Sequence, residues 1–401
     1  MKTKTKILAL FAASAFAPSL FAQLTIPYAD GSDGVLNITT NTVIDLSQAV
    51  TGVWTNTSGN PGKGIYDASQ WAIIFKYSSV NIASNMTVTF INHYSHAPVV
   101  WLVSGSATIN GTLSLDGQPG SNGSEIDVVE PGPGGFRGGA YSSTFSAGAG
   151  FGPGGPQVSQ FGSGGQYIDY PYGTTNIVPL IGGSGGSGGY GNATSGGGAG
   201  GAILIAAANS ITVNGNCHAN GALGGGGNNN PGSGGALRLV ANQILGSGQL
   251  TAIAGYKGRI RIEANTVANT LVVNPPVIGV VPANPPVIFP ATNAPTVTVI
   301  SVGGVAAPAD PKAIMSSSPG VDDISIATIT NQVTIQLQTK NFPTNGTVNV
   351  YVKPRNGGQS LITATFVSGN SNQATWQAFA NLPYPPSQQG HTVIQARAVL
   401  P

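Results

Sequence analysis

The chain has 401 residues, only 7% of them charged, with a formal net charge of +2 and one cysteine, Cys217. So few charges exclude an electrostatic footprint for nucleic acid and a basic cluster for acidic lipid, and a lone cysteine excludes an intrachain disulfide framework. Three of the basic residues lie in the first 22 positions, and without that segment the side chains carry about one net negative charge.

Residues 1–22 read as an export signal: Lys2, Lys4 and Lys6 precede an apolar stretch from Ile7 to Leu20, and Leu20-Phe21-Ala22 offers a cleavage site before Gln23. Ala15-Phe16-Ala17 is a competing site, but Pro18 follows it. No later segment approaches the roughly 18 to 20 apolar residues of a spanning helix, so a secreted or cell-surface protein without an integral membrane segment is expected.

Residues 23–86 mix strand-like runs, Gly34 to Ile44 and Trp71 to Tyr77, with turn clusters such as the one from Thr57 to Gly64. An N-terminal cap, sealing the open end of a strand stack built by the next segment, is the expected role.

From there to residue 271 the chain repeats itself. Gly201-Ala-Ile203-Leu-Ile205, Gly235-Ala-Leu237-Arg-Leu239 and Gly258-Arg-Ile260-Arg-Ile262 align, each continuing through Ala-Asn (Asn209, Asn242, Asn265) to Ile211, Ile244 or Val267. The first copy holds one additional alanine. A second phrase, Ala107 to Gly117, matches Ile211 to Gly221 position for position, and Ile244 to Ala252 is a looser third copy. Alternate apolar residues bounded by glycine predict strands with one packed and one wet face, stacked as coils of a right-handed parallel β-helix. Asn209, Asn242 and Asn265 then form a candidate amide ladder up the stack. Cys217 falls on a packed position, as an inert thiol, with His218 on the opposite side of the strand.

The stretch from Gly117 to Gly201 is glycine-rich; twelve of the residues from Ile181 to Gly201 are glycine. Too little apolar surface accompanies these residues to offset backbone ordering, which predicts long loops extruded from the coils. Gly-x-Gly-x-x-Gly matches inside it carry no phosphate-loop meaning without a βαβ unit or a Gly-Lys-Ser/Thr. Residues 272–292, with Asn274-Pro-Pro and Asn284-Pro-Pro, predict a stiff Pro-rich linker. Residues 293–401 hold about seven short strand-like runs, including Val333 to Leu337, Thr347 to Val352 and Gln373 to Ala378, which predicts a small Ig-like antiparallel β-sandwich with Trp376 in its core. The whole is an all-β chain.

Chemistry-bearing residues are few. Asp116, with Glu125, Asp127 and Glu130 in the glycine-rich stretch, reads either as a shallow carbohydrate or calcium site or as solvated loop charges. Arg238 and Arg261 share one repeat position and stack on neighbouring coils beside Arg259 and Glu263, as an anionic-sugar site or an exposed ladder partly neutralised by Glu263. His93 and His96 lack further legible metal ligands, Tyr94 and Trp101 are sugar-stacking or core aromatics, and Asp322-Asp323 marks a polar turn. No Gly-x-Ser-x-Gly elbow with His and Asp partners is recognisable, and no catalytic residue, metal or cofactor is expected.

The phrases from Gly198 to Ala207, Ile211-Thr-Val-Asn-Gly215 and Gly258-Arg-Ile-Arg-Ile-Glu263 resemble glycine-rich secreted bacterial proteins of the adhesin-like parallel β-helix type, over about residues 86 to 270. The C-terminal segment is similar to β-sandwich modules appended to such exported proteins. The resemblance implies a non-enzymatic surface or matrix protein with polysaccharide or other cell-surface components as partners. The alternative is a carbohydrate-binding or carbohydrate-active β-helix using Asp116 and the arginines.

Overall fold

The computed structural model of the chain describes residues 23–121, 129–141, 147–155, 172–189, 194–225, 230–312, 323–326, 332–355, 357–382 and 391–401. Residues 1–22, expected to be an export signal, and Glu125, Asp127 and Asp322 lie outside the described residues. The chain is nearly all β, in four sheets.

The repeated phrases do stack. Ala202–Val213 pairs in parallel with Ala236–Leu245, which pairs in parallel with Arg259–Glu263. Below them come Val99–Val103 and Ala72–Ile82, also parallel. Ile73, Val99, Ile203, Leu237 and Ile260 therefore form one column, and Phe75, Trp101, Ile205, Leu239 and Ile262 the next. A second sheet, with Thr87–Ile91, Thr112–Ser114, Asn216–His218, Gln249–Thr251 and Val272–Asn274 all parallel, closes over them. Its inward residues Val88, Leu113, Cys217 and Leu250 join the same dry core. Period-two alternation places these side chains inside, and burial of each contributes roughly 1.5–3 kcal/mol. Burial pushes the Cys217 thiol up to about 12, which makes it inert.

The stack begins earlier than the predicted boundary at residue 86. Gly34–Ile38 pairs in parallel with Ala72–Ile82, and Thr42–Asp45 with Thr87–Ile91. Only the intervening segment behaves as a cap: Ile65–Asp67 runs antiparallel to Ala72–Ile82, which makes the first sheet mixed. Two buried carboxylates hold this end together. Asp33 accepts from Ser58 Oγ, Gly62 N–H and Lys76 N–H, and Asp67 from Trp54 N–H and Ser69 N–H. Buried charges persist only with such a set of donors.

The glycine-rich stretch corrects the expectation of extruded loops. Residues 182–189 and 194–201 are buried throughout. The amides of Gly183, Gly186 and Gly189 donate to the carbonyls of Gly200, Gly197 and Thr194, and those of Gly185 and Gly188 to Phe151 and Gly148. Every third amide thus meets the same neighbour, the period of a polyproline II-type helix, which has three residues per turn and no internal hydrogen bonds. Several such segments pack side by side. A Cβ on Gly185 would collide with the Arg137 carbonyl, on Gly186 with that of Asn230, and on Gly188 with that of Ala140. Ordering is offset here by backbone hydrogen bonds and close approach of main chains, terms that apolar surface alone does not measure.

The Pro-rich stretch is also integrated, not a free spacer. Val272–Asn274 and Ile278–Val280 are the last strands of the two sheets, and Ile288 packs on the outer face of the first sheet with Leu24, Ile26, Ile177 and Leu180. Pro275, Pro276 and Pro282 beside those last strands lack an N–H to extend the ladder, a device that blunts an open edge.

Thr296–Val302 and the seven strands after it form a five-stranded and a three-stranded antiparallel sheet that share a core. Trp376 is in that core, with its indole N–H donated to Thr339 Oγ1 at 2.9 Å. The run from Leu361 to Phe366 is divided at Ala364 between Ser360–Thr363 and Thr365–Gly369, which join different sheets.

Candidate functional site

The two arginines of the repeat are in register, as predicted, but they are not exposed. Arg238 pairs opposite Arg261, and they are 2% and 9% exposed. They continue the column Ile74, Val100, Leu204, on a face of the first sheet covered by residues 172–180 and 284–289. Glu263 Oε1 accepts from the Nε of both at 2.8 Å; Arg238 also donates to Val287 O at 2.7 Å and Arg261 to Thr175 O at 3.2 Å. This is a buried clamp that ties residues 172–180 and the proline segment to the sheet, and it offers no open surface to an anionic sugar. The signal for burial was the apolar run Ala202-Ile-Leu-Ile-Ala-Ala-Ala208, since a strand apolar on both faces is covered on both.

Asp116 is a third exposed, at the end of the second sheet. Its Oδ1 accepts from the Asn220 N–H at 2.6 Å, one coil on, and Asn220 Oδ1 in turn accepts from the Ile253 N–H at 2.9 Å. Asp116 and Asn220 occupy equivalent places in the aligned phrases, so the carboxylate acts first as a rung-to-rung link. Its other oxygen lies 2.8 Å from His218 Nδ1, a close polar contact outside hydrogen-bond geometry. Structure thus joins Asp116 to His218 and parts it from the arginines.

The asparagine ladder is half formed. Asn265 Nδ2 donates to Asn242 Oδ1 at 2.9 Å, whereas Asn209 is exposed and out of line. The additional alanine creates a register shift between Ala207 and Ser210, which displaces Asn209. Other amide pairs exist: Asn214 Nδ2 donates to Asn110 Oδ1 at 2.9 Å, at matched positions of the second aligned phrase, and Asn81 Nδ2 to Asn37 Oδ1 at 2.8 Å.

These amides belong to a larger pattern. On the outer face of the second sheet, Thr87, Thr112, Asn216 and Gln249 form one column. Ser114, His218, Thr251 and Asn274 form the next. Around the turn carrying Asn110 and Asn214, the outer side of the first sheet adds the column Asn81, Thr108 and Thr212. All are exposed or half-exposed, and none is a lysine, arginine, aspartate or glutamate.

A charged node lies at the base of the glycine layer. Glu130 accepts from Arg137 Nε at 2.8 Å and lies 2.7 Å from His96 Nε2. Burial raises its carboxyl, but His96 and Arg137 outweigh that and hold it at about 2. His93, by contrast, is buried against Tyr66 and bonded to Ser95, and burial lowers its pKa. The two histidines therefore serve different partners, and among the described residues no group of three or more His, Cys, Asp or Glu side chains could hold a metal. Trp101 is core; Tyr94 is partly exposed, its hydroxyl 3.3 Å from Asp310.

The C-terminal sandwich docks on the glycine layer. Lys353 is 1% exposed and its Nζ donates to the carbonyls of Gly150 and Gly152, at 3.2 and 2.5 Å, while Gly357 N–H donates to Ala147 O. Burial lowers the Lys353 ammonium to about 7.

No family profile, curated protein or solved structure was found to match the chain. Within it, the glycine layer, the covered arginines and the docked sandwich are internal contacts. The polar columns are uncovered and form a surface able to meet a partner.

Proposed function

We propose that this is an exported bacterial surface or extracellular structural protein of adhesion type, without catalytic activity, built on a parallel β-helix. The stacking of both sheets in register supports that architecture, and the general preference for right-handed crossovers between parallel strands supports its hand. One observation carries the reading: apolar stack, glycine layer and docked sandwich are interlocked by buried contacts, which yields a stiff body that displays an uncharged polar face. The mechanism is passive contact with polysaccharide or other cell-surface components. Fractionation of cells expressing the full chain and a chain lacking residues 1–22 tests it: surface or medium localisation that depends on the signal, with loss of cell attachment on deletion of the gene, is expected. Retention of the full chain in the cytoplasm would overturn it.

The proximity of Asp116 to His218 favours one second reading, a carbohydrate-active enzyme in which the imidazole beside the carboxylate serves as base. Depolymerisation of a polysaccharide that disappears in Asp116→Asn at unchanged stability would replace the passive reading.

A further inference from the structure

The polar columns form a lattice of side chains, not a scattering of surface residues. Neighbouring strands set the columns' members about 4.8 Å apart, and alternate residues along a strand about 6.6 Å apart. Thr112 stands opposite both Thr87 and Asn216, and Asn216 opposite Gln249, so donors and acceptors recur at a fixed step over four coils. The step is held by the buried columns beneath, and threonine is stiff at χ1, so the lattice loses little side-chain freedom on contact. Hydroxyl and amide groups each offer both a donor and an acceptor, as the hydroxyls of a sugar do.

The chemistry of the face selects among occupants. It has no cations for phosphate, sulfate or an acidic lipid. It has no aromatic centre of the kind that anchors a protein interface; its large apolar members, Val43 and Ile91 on the first coils and Val272 on the last, lie towards its two ends. Its titratable groups are His218, 2.8 Å from Asp116, and Asp45 at the first coil. Individually weak contacts repeated along one direction suit a ligand that itself repeats.

The geometry points to this face as a binding surface for an uncharged polysaccharide laid across the coils. The inference deepens the adhesion reading and rests on it for its biological setting, but its test is independent of export. The chain without residues 1–22 is mixed with particles of cellulose, chitin, β-1,3-glucan, dextran and mannan, and with alginate as an anionic control, and the bound fraction is measured. Retention on at least one uncharged polymer, and weaker retention on alginate, is expected. Asn216→Lys with Gln249→Lys, at two exposed positions, should weaken retention at least tenfold. Thr112→Val, which keeps the shape and deletes the hydroxyl, should weaken it about threefold, and Gln373→Lys on the distant sandwich should leave it unchanged. The unfolding temperature of each variant reports whether it folds. Retention on no uncharged polymer, preference for alginate, or binding indifferent to both lattice variants would each overturn the inference. So would growth-shaping of ice crystals without polysaccharide retention, which would assign the lattice to ordered water. Cytoplasmic localisation in the fractionation experiment would sink the adhesion role and leave this binding result standing.

Discussion

The stacked strands and the glycine layer reach similar burial by opposite means. In the stack, Leu239 and Ile205 fill space with side chains, and backbones stay a strand spacing apart. In the layer, Gly183 and Gly186 have nothing to fill space with, and main chains approach until a single methyl group would collide. One region is sensitive to atoms removed and the other to atoms added. Low apolar content therefore does not equal looseness when hydrogen bonds are met between chains.

Several measurements break or sharpen this contrast. The largest effect is expected where the regions are clamped together: Glu263→Gln leaves Arg238 and Arg261 buried without a counter-charge and should cost about 3 to 5 kcal/mol in chemical denaturation. Leu239→Ala in the stack should cost about 2 to 5 kcal/mol through the cavity it leaves. Gly186→Ala, a gain of one methyl, should cost up to about 3 kcal/mol and raise hydrogen exchange across residues 182–189 and 194–201 first; unchanged exchange there would refute the packed-helix account.

The docked sandwich adds a pH dependence. The Lys353 ammonium is lowered in the folded protein relative to the unfolded chain, so the unfolded chain binds the additional proton between about pH 7 and the ordinary lysine range. Stability should rise with pH across that window, by up to about 1.4 kcal/mol per unit, and level off below it. Lys353→Met should flatten the rise in melts followed from pH 6 to 10. Smallest of all, Asn265→Ala removes one half-exposed amide bond to Asn242 and should cost about 0.5 to 1 kcal/mol; Asn209→Ala, out of the ladder, should be silent.

Much of the stack was legible because its signals are local. The alignment of Ile203, Leu237 and Ile260 gave their register, and the alternation in Ala107 to Leu115 gave its inward residues, Ile109 and Leu113. The polar lattice was present in the same phrases, as the residues between the apolar ones. Its members look ordinary singly, and only their stacking makes a surface. The arginines were misplaced for a different reason. A strand pattern tells which side a residue faces, but residues 172–180 and 284–289, which cover that side, are about 50 or more residues from Arg238 in one case and bend back through prolines in the other.

The sequence by itself determined the repeated strands, their inward residues and their register, because period-two alternation and repetition are read over a few residues. Tertiary structure alone decided that the glycines pack, that the prolines close the stack, that Asp116 meets His218 and that the arginines are buried. Each of those outcomes depends on what a distant segment places against the residue, and glycine, with no side chain, leaves no pattern from which that neighbour can be foretold.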